Sequence, residues 1–270
     1  MPDSANALVT CSVSEGIAHV RLDRPDKLNA LTLQTLDELI GTARELRRDR
    51  TLRAVIISGS GDAFCAGLDF ASVLKKPTGI IGAFLPNPLL GTNKFQEACW
   101  AWRRLPVPVI AAVHGHCYGG GIQIALAADF RIATPDSQWS VLEGRWGLIP
   151  DMSGIRSLSE VVGIETAKRL TMTAQVVSGK EAHDLGLVGE VAADPVAAAE
   201  AFAQELATKS PDALAAAKRL FNRSFTDSAR RTFSRERAEQ VFLLATANTA
   251  RARTAAFKKV APVFGPRGRR

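Results

Sequence analysis

Residues 107–123 read Val107-Pro108-Val109-Ile110-Ala111-Ala112-Val113-His114-Gly115-His116-Cys117-Tyr118-Gly119-Gly120-Gly121-Ile122-Gln123. The apolar, β-branched run at 107–114 predicts a buried strand, and the glycines separate it from a helical pattern carried by Ile122, Ala125 and Leu126. A second stretch repeats the plan: a short apolar strand at 53–58, the turn Gly59-Ser60-Gly61-Asp62, then Phe64-Cys65-Ala66-Gly67-Leu68-Asp69. Strand, turn and helix start, twice over, predict an α/β fold built from repeated units. Both loops combine small residues, which let the backbone approach a ligand, with an apolar run that anchors them. Together they have the composition of one oxyanion hole, in which N–H groups meet a carbonyl oxygen that gains negative charge during reaction.

Working outward, the β-prone segments 9–13 and 17–22 flank Ser14-Glu15-Gly16 and predict a hairpin. Thr32 can cap a following helix in which Leu33, Leu36, Leu39, Ile40, Ala43 and Leu46 recur at helical spacing. Residues 75–94 hold Pro77, Gly79, Gly82, Pro86, Pro88 and Gly91, a density of breakers that predicts a mobile loop or lid with an apolar side. Strands are expected at 130–133 and 139–142, and from Gly154 onward the pattern is almost wholly helical. The expected organisation is a core at 1–195 and a helical C-terminal subdomain at 196–270, whose alanine-rich helices serve either subunit contacts or a plain capping layer.

With 270 residues, 46% hydrophobic and 23% charged, the chain can bury a full core without staples. Cys11, Cys65, Cys99 and Cys117 have neither C-x-x-C nor regular spacing, which suggests neither a zinc site nor a disulfide framework and fits a reducing compartment. The N-terminal residues lack a signal-peptide pattern, and the apolar run near 105–113 is broken by prolines and too short for a bilayer. A cytoplasmic protein is expected. The formal charge of +7 permits a polyanionic partner, but a single tyrosine gives no stacking platform for nucleic acid. The terminal arginines at 267, 269 and 270 read as solvated surface.

The segments 24–31 (Arg24-Pro25-Asp26-Lys27-Leu28-Asn29-Ala30-Leu31), 64–69, 115–133, 139–150 and 256–265 stand in the order of one known family. The chain resembles the crotonase superfamily, the enoyl-CoA hydratase/isomerase family, over almost its full length. The resemblance implies a crotonase-like spiral of repeated ββα units, a trimer or dimer of trimers, and an acyl-CoA thioester as substrate. Coenzyme A is then part of the substrate, and no separate cofactor or metal is expected. It also implies that the N–H groups of Ala66 and Gly120 hold the thioester oxygen. Lys27, Leu28, Asn29, Gly67, Leu68, Asp69, Gly119 and Gly121, with Lys258 or Lys259 near the phosphates, would line the CoA and substrate path.

Glu143 matches the family's acid/base glutamate. Its neighbours Leu142, Trp146 and Leu148 predict partial desolvation and a raised pKa, whereas the local sequence alone also allows an ion pair with Arg145. Typical hydratases of the family carry a second glutamate where this chain has Gln123. An amide cannot trade a proton, so Gln123 is expected to orient a water or Glu143, or to be a satisfied core amide. Asp151 stands eight positions after Glu143, where dienoyl-CoA isomerases of the family have a second acidic residue. Fully extended, that segment would span about 26 Å, but Gly144, Gly147 and Pro150 allow it to turn. Asp151 can equally cap the next helix.

The glycines are spaced G-x-x-x-G-G-G, which argues against a dinucleotide-binding oxidoreductase, and no G-x-S-x-G elbow supports a serine hydrolase. His114 and His116 lack a third ligand at metal-like spacing. Asp129 and Arg131 are expected to pair structurally, and Tyr118 to pack or to shape the pocket. The leading expectation is double-bond isomerisation of an unsaturated acyl-CoA. The alternatives are hydration with Gln123 positioning the water, and a non-catalytic acyl-CoA-binding or RNA-binding homologue.

Overall fold

The computed structural model describes residues 7–69, 71–72 and 77–269. Strands β1 (Val9–Ser14) and β2 (Ile17–Leu22) pair antiparallel across Glu15-Gly16, whose φ values of 51° and 80° suit a two-residue hairpin turn. Beyond β2 the sheet is parallel, in the order β1-β2-β3-β4-β6-β9, with β3 at Ala54–Gly59, β4 at Val109–Val113, β6 at Phe130–Ala133 and β9 at Glu190–Val191. A second, smaller sheet joins β5 (His116–Tyr118), β7 (Gln138–Ser140) and β8 (Val177–Ser178). Successive strands alternate between the sheets: β4 feeds the large one and β5 the small, then β6 the large and β7 the small. Isolated parallel backbone pairings join Cys65 to Cys117 and Leu31 to Leu68, so the earlier turns follow the same course. The chain thus forms the expected α/β spiral of ββα units.

Helix α1 (Leu33–Arg48) starts at Thr32, which forms a reciprocal capping box with Thr35, and buries Leu36, Leu39, Ile40, Ala43 and Leu46. Alternation along the strands divides the core. Val55, Ile57, Val109, Ala111 and Val113 point into one cluster, while Ala54, Ile56, Ile110 and Ala112 meet Ala199 and Ala203 on the other face. Those two alanines belong to the helix Pro195–Ala207, so the expected boundary after residue 195 falls at an element packed on the sheet.

Residues 77–84, expected in a mobile loop, form helix α2 (Pro77–Phe84), followed by α3 (Lys94–Arg103). Proline is tolerated at a first helical position, and Phe84 packs on Phe95 with ring centroids 4.9 Å apart. Tertiary contact therefore outweighs the two glycines, while Pro86 and Pro88 follow the helix end. Residues 75 and 76 of that expected loop lie outside the described residues. The strands β8 and β9 were not expected, since two residues carry no readable period.

The terminal arginine at 267 is buried, not solvated: it is 5% exposed, donates its backbone N–H to Arg50 O at 2.8 Å and accepts from Arg50 Nε at 2.6 Å. Asp129 pairs with Lys218 at 2.6 Å; Arg131 instead donates to the carbonyls of Leu187 and Ala128. No described helix is long and apolar enough to cross a membrane.

Candidate active site

The two glycine-bearing loops are zipped together. Cys65 N–H donates to His116 O and Tyr118 N–H returns to Cys65 O, each at 2.9 Å. Gly121 makes this approach possible, because a Cβ there would stand 2.6 Å from Cys65 O. Beside the junction opens a cavity of about 580 Å³. Ala66, Gly67 and Leu68 form one wall, and Gly119 and Gly120, at the start of α4 (Gly120–Ala127), form another. Glu143, from a 3-10 turn (Leu142–Trp146), and Asp151 supply its charged groups. Ile80, Phe84, Phe95, Leu148 and Ile149 make the remainder strongly apolar.

The backbone N–H groups can be assigned one by one. Ala66 donates to Leu28 O at 2.9 Å, so the expected hole donor is already committed to the fold. Leu31 N–H donates to Gly67 O at 2.7 Å, and Leu31 O accepts from Asp69 N–H at 2.9 Å. In an extended segment successive N–H groups alternate in direction, so Leu68 N–H points away from Leu31. Among the described residues neither Leu68 N–H nor Gly120 N–H has a protein acceptor. Gly120 is the first residue of α4, where N–H groups are unpaired within the helix and the dipole favours negative charge. The donor pair this geometry offers is therefore Leu68 and Gly120. The register against Leu31 that singles out Leu68 is not written in the loop's own residues.

Glu143 Oε1 accepts from Gln123 Nε2 at 2.6 Å, and Oε2 is buried without a protein partner among the described residues. No ion pair with Arg145 is present among the described residues. Burial raises the carboxyl pKa, the Gln123 hydrogen bond opposes the rise, and nearby Asp151 adds to it. The segment between the carboxylates turns back through Gly147, at φ 68°, with Leu148 N–H donating to Glu143 O at 3.0 Å. Asp151 is likewise raised by burial. It does not cap the next helix: α5 spans Gly154–Val162, and Ser153 occupies the position before it.

Several expected binding residues have other duties. Asn29 is 1% exposed; its Nδ2 donates to Ser60 O and Ala63 O, and its Oδ1 accepts from Arg24 N–H, so the side chain braces the loop and has no free group for a ligand. Asp69 is held by Arg24 Nη1 at 2.7 Å, which is the main reason its carboxyl pKa is lowered, and it lies outside the cavity lining. Gly121 is buried under Cys65. Gly67, Leu68 and Gly119 do line the cavity. Lys27 is exposed at the end of the 3-10 turn Pro25–Lys27, and Leu28, also exposed, lends its carbonyl to Ala66. Lys258 and Lys259 are exposed at the end of the helix Ala247–Lys258, away from the cavity lining. Tyr118 bonds Gln138 and stacks on His116, while His114 Nε2 meets Gly61 O. No described cluster of three or more His, Cys, Asp or Glu could hold a metal.

Residues 12–266 match the family model described as enoyl-CoA hydratase/isomerase. The Delta(3,5)-Delta(2,4)-dienoyl-CoA isomerase, mitochondrial, of Mus musculus is 35% identical over 215 residues, covering 77% of this chain and 66% of that protein. The chain thus spans just under two thirds of the length of that relative. The enoyl-CoA hydratase domain-containing protein 2, mitochondrial, of Homo sapiens is 34% identical, covering 74% of this chain and 68% of its own. The crystal structure of an enoyl-CoA hydratase from Polaromonas sp. JS666 superposes with a TM-score of 0.85 at 27% identity, covering 95% of this chain and 99% of that one.

Proposed function

The chain belongs to the enoyl-CoA hydratase/isomerase family, and on that premise we propose that it isomerises a dienoyl-CoA thioester with an apolar acyl chain. The observation that carries this reading is that Glu143 and Asp151 both line the apolar cavity walled by Leu68 and Gly120. One carboxylate, ionised, takes a proton from the carbon beside the thioester. The electron pair passes to the thioester oxygen, where the N–H groups of Leu68 and Gly120 hold the extended enolate conjugated with both double bonds. The second carboxyl group, entering protonated, gives its proton to the far end of that system. Atoms balance without water, and proton exchange with solvent resets the pair. The raised pKa values of both groups suit a site that must keep one proton.

Hydration is less well supported, because the Gln123 amide cannot supply the second carboxylate and its oxygen already accepts two backbone N–H bonds. The apolar cavity favours an acyl chain over RNA. Incubation with 3,5-dienoyl-CoA and 2-enoyl-CoA in deuterated water tests the proposal. A 2,4-dienoyl product carrying deuterium and no added water is expected, lost in Glu143→Gln and in Asp151→Asn. Hydration of 2-enoyl-CoA with the dienoyl ester left untouched would overturn it.

A further inference from the structure

We propose that Gln123 is a positioning residue that registers Glu143 and the Asp151 turn against one buried amide, leaving Oε2 as the reacting oxygen of Glu143. This rests on the reading of Glu143 and Asp151 as the proton-transfer pair. Gln123 lies on α4 and is 1% exposed. Its Oε1 accepts from the N–H groups of Met152 at 2.8 Å and Gly154 at 2.9 Å. Two backbone donors fix that end as the carbonyl, so the NH₂ group must face Glu143 Oε1, 2.6 Å away. Met152 directly follows Asp151, so the carbonyl end holds the turn that presents the second carboxylate. Two acid/base groups from two separate segments are thus indexed to one side chain on a third.

Gly154 completes the device. A Cβ at Gly154 would stand 2.6 Å from Gln123 Oε1 and 2.7 Å from Pro150 Cβ. The amide seats only because that position carries no side chain. The amide is also chemically distinct from a carboxylate at the same point. Glutamate at 123 could keep both backbone bonds, but its other oxygen would face Glu143 Oε1, and two carboxylates that close must share a proton. Among the described residues, the charge of Asp151 acts on Glu143, Arg145 on the same 3-10 turn makes no ion pair with it, and both carboxylates add to the rise that burial imposes on the pKa of the Cys99 thiol of α3.

Gln123→Met, Gln123→Glu and Gly154→Ala, compared with the parent protein, test the proposal by two independent readouts. Steady-state rates against pH report turnover, and a ¹³C-carboxyl NMR titration of the resting protein reports Glu143 without substrate. Gln123→Met should lower kcat about 100-fold with KM within about twofold, and Glu143 should titrate at higher pH once its donor is gone. Gly154→Ala, which touches neither carboxylate, should reproduce that pattern. Gln123→Glu should move the acidic limb of kcat/KM upward by about one pH unit or more, as a shared proton requires. The proposal is overturned if Glu143 titrates as in the parent in all three variants and Gln123→Met keeps the parental kcat. A parent protein inert to every dienoyl-CoA overturns the proton-shuttle reading alone, because the NMR titration needs no turnover.

Discussion

The backbone N–H of Ala66 donates to the carbonyl of Leu28 at 2.9 Å. That hydrogen bond commits the Ala66 N–H to the fold, whereas the N–H of Leu68, two residues on, has no protein acceptor among the described residues. The loop at 28–29 that supplies the carbonyl is itself held in left-handed backbone, with φ of 49° at Leu28 and 56° at Asn29. Asn29 braces it through three hydrogen bonds to backbone. The segment expected to touch coenzyme A thus acts on the site by fixing the wall opposite Gly120.

Replacing a single backbone amide by an ester separates the two roles, since it removes the N–H and keeps the side chain. An ester at Leu68 should lower kcat by about 100- to 1000-fold, the range for loss of one preorganised donor, with little change in thermal stability. The same replacement at Ala66 should reduce stability and leave kcat within about threefold, being the loss of a structural hydrogen bond. Equal kcat for the Leu68 ester and the parent would remove Leu68 from the hole.

Glu143→Gln should abolish turnover and stabilise the fold at neutral pH. Burial raises the Glu143 pKa in the folded state above its ordinary value of 4.5, so the folded protein binds the proton more tightly than the unfolded chain does. The carboxyl group's contribution to stability is therefore full below that ordinary value and is lost as pH rises through the folded pKa. Glutamine, always neutral, escapes the loss. The variant's gain in Tm over the parent should appear at pH 7 to 8 and vanish near pH 4; activity should fall by at least about 100-fold. A Tm difference independent of pH would contradict the assignment.

How much of this was legible in the sequence depends on how local the deciding interaction is. The capping box of Thr32 and Thr35 and the leucine spacing of α1 lie within a few residues of each other, and the helix follows from them. The two loops, their glycines and the carboxylates at 143 and 151 were likewise readable as a set. The unpaired N–H of Leu68 was not, because it is decided by pairing of the flanking residues with Leu31. Helix α2 needed the ring of Phe95, on a separate helix, to offset its glycines. Burial of Arg267 depended on Arg50, more than two hundred residues away. The sequence of the loop offers Asp69 as a ligand group, but Arg24, 45 residues away in the chain, holds its carboxylate.

The acyl side of the cavity should respond to charge in a chain-length-dependent manner. Phe84 lines it and packs on Phe95 with the rings tilted. Phe84→Asp would put a carboxylate against the apolar wall, where a long acyl chain gains roughly 0.8 kcal/mol per buried methylene. KM for a long-chain substrate should rise at least about tenfold, while kcat for a short-chain ester that stops short of Phe84 should stay within about twofold. Equal effects on short and long chains would mean that Phe84 supports the fold and not the acyl path.

One buried cation ties a C-terminal helix to the start of a central strand. Lys218, on the helix Pro211–Ser224, donates to Asp129 Oδ2 at 2.6 Å and to the carbonyls of Val107 at 2.9 Å and Trp102 at 3.3 Å. Its side chain is 7% exposed, and burial lowers its pKa against the opposing pull of Asp129. Asp129 in turn accepts from Val109 N–H at 2.8 Å, so the pair joins that helix to the edge of β4. Removing one partner of a buried ion pair strands the other, at a cost of about 3 to 5 kcal/mol. Lys218→Met should therefore lower Tm sharply and speed amide exchange in 211–258 ahead of the sheet. The polar partners of this pair, Trp102, Val107 and Val109, are not among the residues that line the cavity, so kcat measured well below the new Tm should remain within about twofold of the parent. If Lys218→Met/Asp129→Leu were no more stable than Lys218→Met, the stranded aspartate would not be the source of the loss, and the lysine's bonds to the two carbonyls would carry the link.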